Sequence, residues 1–109
     1  MGKYQIKDTS NGQFRWSLKA GNGETLIVSE AYTTKAACIK GIESSKKNVA
    51  DKCFDRKESK KGEPFFNQIA ANYQVLGTSE MYSSVSAREK GIESVKKNAP
   101  EAPIEDLKK

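Results

Sequence analysis
Lys40-Gly41-Ile42-Glu43-Ser44 and Lys90-Gly91-Ile92-Glu93-Ser94 are one pentapeptide written twice, fifty residues apart. The same offset lays Ser29-Glu30-Ala31-Tyr32 on Ser79-Glu80-Met81-Tyr82 and Lys46-Lys47-Asn48 on Lys96-Lys97-Asn98. Upstream, Ala20, Asn22 and Leu26 meet Ala70, Asn72 and Leu76, while Tyr4 meets Phe54 and Gly12 meets Gly62. No gap is needed, so the chain is a tandem duplication. Repeat one covers residues 4–53 and repeat two 54–103. A tail, 104–109, opens a third round in which Ile104 falls on Phe54 and Tyr4.

Each repeat reads β-β-β-α. Tyr4 and Ile6 alternate with polar neighbours, as in a half-buried strand. Ser10-Asn11-Gly12-Gln13 is a hairpin turn, because Asn-Gly accepts positive φ. Phe14, Trp16 and Leu18 alternate with Arg15, Ser17 and Lys19, giving a strand with one apolar and one wet face. Gly21-Asn22-Gly23 supplies a second turn, and Thr25–Val28 a third strand. Thr33 and Ser83 are the expected N-caps, with Tyr32 and Tyr82 stapling onto Ala37 and Ala87. In the helices, Cys38, Gly41, Ile42 and Ser45 form one stripe, and Arg88, Gly91, Ile92 and Val95 its copy. Glycine costs about 1 kcal/mol relative to alanine inside a helix. Its presence in both copies implies a close approach to the sheet.

A fifty-residue unit hides too little apolar surface to stand alone. Two units packed as a pseudo-dimer share a core, so residues 1–109 form one domain. Composition narrows the function classes. The formal net charge is +5, 36% of residues are hydrophobic, and there is no histidine. Imidazole-based acid/base chemistry, Ser-His-Asp and Cys-His nucleophiles and histidine-ligated metals are therefore excluded. No apolar run is long enough for a membrane span, and Met1–Gln5 has no signal-peptide core. The expected setting is the cytoplasm. Cys38 and Cys53 then read as reduced, structural thiols with neither redox nor zinc-ligand spacing.

The run Phe14-Arg15-Trp16-Ser17-Leu18-Lys19-Ala20-Gly21-Asn22-Gly23-Glu24, followed by Ser29-Glu30-Ala31-Tyr32 and Gly41-Ile42-Glu43-Ser44, resembles the YegP-like family of small bacterial proteins. The resemblance covers nearly the whole chain in both copies. It implies an α+β fold in which two pseudo-twofold-related β-β-β-α repeats share one antiparallel sheet with two helices and exchange C-terminal strands. Ile104–Leu107 is then a strand. It implies no activity, cofactor or catalytic residue. Copy two departs from the family pattern at Phe66-Asn67-Gln68-Ile69-Ala70-Ala71-Asn72-Tyr73. Gln68 takes an apolar position, Ile69 a polar one, and Tyr73 the place of a turn glycine, so a bulge, a register change or a longer or strained hairpin is expected there.

Three surfaces carry candidate sites. Lys46, Lys47, Lys52, Arg56, Lys57, Lys60 and Lys61 form a basic stretch with only three acids among them; with Arg15 and Lys19 on the wet face of the second strand it is a candidate phosphate-backbone surface. Such lysine-rich surfaces also serve solubility alone. Glu30 and Tyr32, with copies Glu80 and Tyr82, sit where a strand gives way to a helix, which suits either an anion or plain capping. Asn22 and Asn72 complete the candidate binding set from the turns. No catalytic residue, metal or cofactor is expected. The leading functional reading is a non-enzymatic module that recognises a protein partner or itself. The alternatives are a nucleic-acid-binding accessory protein and a small-ligand binder in a cleft between repeats near Glu30 and Glu80.

Overall fold
Period-two patterning and Asn/Gly turns build the strands β1 (Lys3–Asp8), β2 (Phe14–Lys19) and β3 (Thr25–Ser29), which lead into α1 (Lys35–Lys47). Repeat two follows with β4 (Phe54–Glu58), β5 (Pro64–Ile69), β6 (Val75–Ser79) and α2 (Val85–Asn98), and the chain ends in β7 (Ile104–Asp106). The structure, a computed structural model, describes residues 2–106; the expected strand residue Leu107 and the rest of the tail lie outside them. One seven-stranded sheet runs β4-β5-β6-β3-β2-β1-β7. The repeats meet at its centre through Ile27–Ser79, Val28–Thr78 and Ser29–Gly77.

The antiparallel expectation holds through six strands and needs correction at the seventh. β7 pairs parallel with β1, Tyr4 beside Ile104 and Gln5 beside Glu105. Residues that align across two fifty-residue offsets thus lie side by side. The strand exchange is one-sided. β7 leaves α2 of repeat two and closes the edge of repeat one, because the chain leaving α1 is already used as β4.

Four hairpin turns place one residue each at positive φ: Gly12, Gly23, Gly62 and Tyr73. Tyr73 occupies the left-handed conformation at φ 68°, in a turn of the same length as its copy, so the hairpin is strained rather than lengthened. The irregularity expected near Gln68 is present between Gln68 and Ile69. It recurs between Leu18 and Lys19, so it belongs to the repeat and not to the unusual residues of copy two.

The helix caps lie one residue later than the sequence suggests. The Thr34 and Ser84 hydroxyls accept from the Ala37 and Ala87 amides at 3.0 Å. Tyr32 and Tyr82 are therefore not staples. Each lays its hydroxyl against a helix glycine instead. A Cβ on Gly41 would stand 2.3 Å from the Tyr32 hydroxyl, and one on Gly91 2.2 Å from the Tyr82 hydroxyl. The glycines make room for these tyrosines, and the Cβ added at Gly41 would also stand 3.0 Å from the Trp16 Nε1.

Both helices cover the same sheet face. Beneath them lie Tyr4, Ile6, Trp16, Leu18, Ile27, Phe54 and Phe66, all buried. Cys38, Gly41, Ile42 and Ser45 of α1 are the expected stripe; in α2 Gly91, Ile92 and Val95 are buried as expected, but Arg88, expected with them, is only half-buried. Tyr4–Trp16 and Phe54–Phe66 repeat one edge-on ring contact at 5.3 and 5.7 Å. Gln68 is fully buried too.

Candidate interaction surface on the open sheet face
Alternation along the strands leaves the second sheet face without helices. The register carries a row across it, polar but for Val28, from Gln5 through Ser17, Val28, Thr78 and Asn67 to Asp55. On the repeat-one side Lys7 stands beside Arg15, and Lys3 beside Lys19 beside Thr25. On the repeat-two side Lys57 stands beside Phe65, and Ile69 beside Val75. The repeat-one half is cationic; the repeat-two half mixes Phe65, Ile69 and Val75 with Asp55, Lys57, Asn67 and Thr78. A groove of about 600 Å³ follows β2 and takes in Lys7, Arg15, Lys19, Thr25 and Glu80. Lys19 Nζ donates to Thr25 Oγ1 at 2.5 Å. Arg15, Lys19 and Glu80 are thus brought together. Lys7 was missing from the sequence reading, although its parity with Arg15 across the first hairpin could have supplied it.

A second groove of about 600 Å³ lies between α1 of repeat one and the β5–β6 hairpin of repeat two. It is the cleft between repeats, and it holds Tyr32 and Asn72, not Glu30 and Glu80. Lys40, Asn48 and Leu76 also border it. Glu30 follows the Ser29–Gly77 pair at one end of the central ladder and Glu80 follows Ser79–Ile27 at the other. The two carboxylates point to opposite ends because the pseudo-twofold axis runs between them.

The Ser-Glu-x-Tyr motif resolves into structural roles. The Ser29 hydroxyl accepts from the Trp16 amide at 2.9 Å and donates to the Glu30 carbonyl at 2.8 Å. Ser79 does the same for Phe66 and Glu80, at 3.0 and 2.8 Å. Burial raises the Tyr32 hydroxyl above its ordinary pKa, against the pull of the nearby Trp16 indole. That indole N–H is buried and lies outside hydrogen-bond geometry with any partner. Tyr82 is raised likewise, first by burial and then by Glu24 and Glu80. Asn22 and Asn72 shape their turns, accepting from the amides of Glu24 and Gln74 at 3.0 and 3.1 Å.

The basic stretch is not gathered into one surface. Lys46 lies over the Tyr4 ring at 6.0 Å, on the helix side. Arg56, also on that side, bonds Glu89 at 2.9 Å and Asp51 at 2.9 Å, and these acids neutralise it. Lys57 alternates to the open face and pairs with Asp55 at 3.4 Å. Lys47 ends α1, Lys52 lies in the turn after it, and Lys60 and Lys61 form the β4–β5 hairpin turn. Strand alternation and the helix-to-strand turn disperse what is contiguous in sequence.

Cys38 and Cys53 are buried, and burial, aided by Asp106 against the pull of Lys35, pushes the Cys38 thiol up to about 11. Among the described residues no group of three or more carboxylates or cysteines stands together to hold a metal ion. Nor is any helix among them long and apolar enough to cross a membrane.

Fold and surface together define a duplicated α+β pseudo-dimer with one open sheet face. The chain belongs to the family described as a domain of unknown function, DUF1508, whose model matches residues 9–53 and again 59–106. A UPF0339 protein of Photorhabdus laumondii is 48% identical over 67 residues, 61% of this chain and 59% of that protein. The chain therefore spans less than two thirds of that relative. A UPF0339 protein of Treponema denticola is 52% identical over 50 residues, which are 46% of this chain but 86% of that protein, so it is about one repeat long. The solution structure of UPF0339 protein SO3888 from Shewanella oneidensis superimposes with a TM-score of 0.92 at 45% identity, covering 97% of this chain and 91% of that one. The Escherichia coli yegP structure, described as a protein of unknown function, gives 0.91 at 41% identity, covering 97% and 92%.

Proposed function
We propose that this protein is a non-enzymatic interaction module of the cytoplasm that presents the open sheet face to a protein partner. The carrying observation is the one-sided packing of the helices. It leaves a groove flanked by Lys7, Arg15 and Lys19, on a face whose repeat-two half carries Phe65, Ile69 and Val75. Cations beside apolar surface suit an acidic segment with hydrophobic anchors. Burial of both thiols and separation of Glu30 from Glu80 support the non-enzymatic reading. The test is affinity capture from native lysate after nuclease treatment, comparing the parent with Arg15→Glu/Lys19→Glu. A protein retained by the parent and lost by the variant is the expected result. Equal capture by both rules this surface out. The same cations favour a second reading, nucleic-acid binding, whose signature is capture that nuclease abolishes and that falls steeply with salt.

A further inference from the structure
We propose that the two repeats are keyed to each other, so that the interface of repeat one fits repeat two and rejects a second copy of itself. Three buried side chains form a polar trio on one side of the pseudo-twofold axis. The Tyr4 hydroxyl donates to Ser45 Oγ at 2.7 Å, and Ser45 donates on to Gln68 Oε1 at 2.6 Å. Gln68 Nε2 donates to the carbonyls of Ser45 at 3.0 Å and Asn48 at 2.7 Å. Every side-chain nitrogen and oxygen of the trio therefore has a hydrogen-bond partner. Tyr4 and Ser45 belong to repeat one and Gln68 to repeat two. The fifty-residue offset names the matching positions on the other side: Phe54, Val95 and Leu18, each apolar and buried. At all three positions the polar member lies on one side of the axis and the apolar member on the other.

Backbone details follow the exchange. In repeat two the Val95 carbonyl is satisfied by the Ala99 amide, because that helix runs one residue further. In repeat one α1 stops at Lys47, and the Gln68 amide takes over the Ser45 carbonyl. A helix C-terminus has orphan carbonyls, and here the other repeat supplies the cap. The axis itself carries a second key. A Cβ on Gly77 would lie 2.4 Å from Ile27 Cγ2, although residue 27 is the repeat-one equivalent of residue 77.

Homotypic pairs lack this fit. Two copies of repeat one would bury Tyr4 and Ser45 against Leu18 and set isoleucine against isoleucine at the axis. Two copies of repeat two would bury the Gln68 amide against Phe54 and Val95 and leave a void at Gly77. Buried polar groups without partners are costly, whereas the completed network is not. The keyed trio therefore contributes pairing specificity beyond bulk stability.

Both mismatched cores can be built in the intact chain. Gln68→Leu recreates the homotypic core of repeat one, and Leu18→Gln that of repeat two. Urea unfolding is expected to show the folding constant lowered roughly tenfold by the first and roughly a hundredfold by the second, from stranded polar groups. The compensated chains Y4F/S45V/Q68L and L18Q/F54Y/V95S are expected to recover at least about tenfold over their single-site parents, since each copies a packing already present across the axis. Gly77→Ala is expected to destabilise the parent and to cost less in an Ile27→Ala background, where only the Val28 backbone, 3.0 Å from the added Cβ, still crowds it. Single variants as stable as the parent would overturn the proposal. So would compensated chains no better than the single variants, and if Leu18→Gln fails to fold, the Gln68→Leu pair still decides.

Discussion

The two edges of the sheet begin from equivalent sequence and end differently. At β1 the edge is closed by β7: the Tyr4 amide donates to the Pro103 carbonyl at 2.9 Å, Gln5 Nε2 to Glu105 at 2.7 Å, and Lys35 pairs with Asp106. At β4 no strand of the described chain follows, and the Phe54 amide turns back to the Asp51 carbonyl. The helix residues above the edges diverged accordingly. Cys38 is buried beside the closed edge. Its equivalent, Arg88, bonds the Lys57 carbonyl at 3.2 Å and Glu89 at 3.1 Å. Where the closing strand is missing, charged side chains with Arg56 at their centre guard the open edge, a common defence against edge-to-edge pairing. A duplicated chain has one strand too many for symmetry, and that strand decides which repeat carries a thiol and which a guanidinium.

Removing the closing strand should break the comparison most severely. Truncation after Ala102 is expected to cost about 2–4 kcal/mol in urea unfolding, from lost ladder bonds and ion pairs. Cys38 should then react with a thiol reagent at pH 8, where the intact protein protects it by burial and by a pKa of about 11.

The two tyrosine–glycine locks sharpen the contrast next. Gly41→Ala is expected to cost about 2–3 kcal/mol and Gly91→Ala about 1 kcal/mol less, because Gly41 is hemmed in by Trp16 as well as tyrosine. Tyr32→Phe should relieve much of the Gly41→Ala penalty, read from the midpoint of chemical unfolding. Matching the inner turns is a smaller step. Tyr73→Gly gives repeat two the turn residue of repeat one, and thermal unfolding should show a gain of about 0.5–1 kcal/mol, the left-handed strain removed less the added chain entropy.

The smallest effect is electrostatic. Hydrogen bonding to Arg56 holds the Glu89 carboxyl below its ordinary pKa. That pair stabilises the fold above the usual carboxylate range, and the contribution is lost as pH falls through the lowered pKa. Glu89→Gln should therefore be less stable than the parent by under about 1 kcal/mol at pH 7, with the gap closing towards pH 3. A constant gap across that range would assign the effect to packing.

Much of the fold was legible because the repeat supplied its own comparison. Tyr4/Phe54 and Ile42/Ile92 mark the core face twice over, and the paired glycines at 41 and 91 signalled a close approach. What they approach was not legible, since the Tyr32 and Tyr82 hydroxyls reach the glycines from loops that no helical period connects to them. The candidate surface was half legible. Parity placed Arg15 and Lys19 on the wet face, but contiguous charges from Lys46 to Lys61 could not reveal that alternation would scatter them.

Sequence alone determined the duplication, the β-β-β-α order, the turns and the two buried stripes, because these depend on local periodicity and on residues with special backbone preferences. Tertiary structure alone decided the parallel docking of β7, the dispersal of the basic stretch and the partnership of Gln68 with Tyr4 and Ser45. Each of these joins residues far apart in the chain, and their free energy exists only once the two repeats have packed into one core.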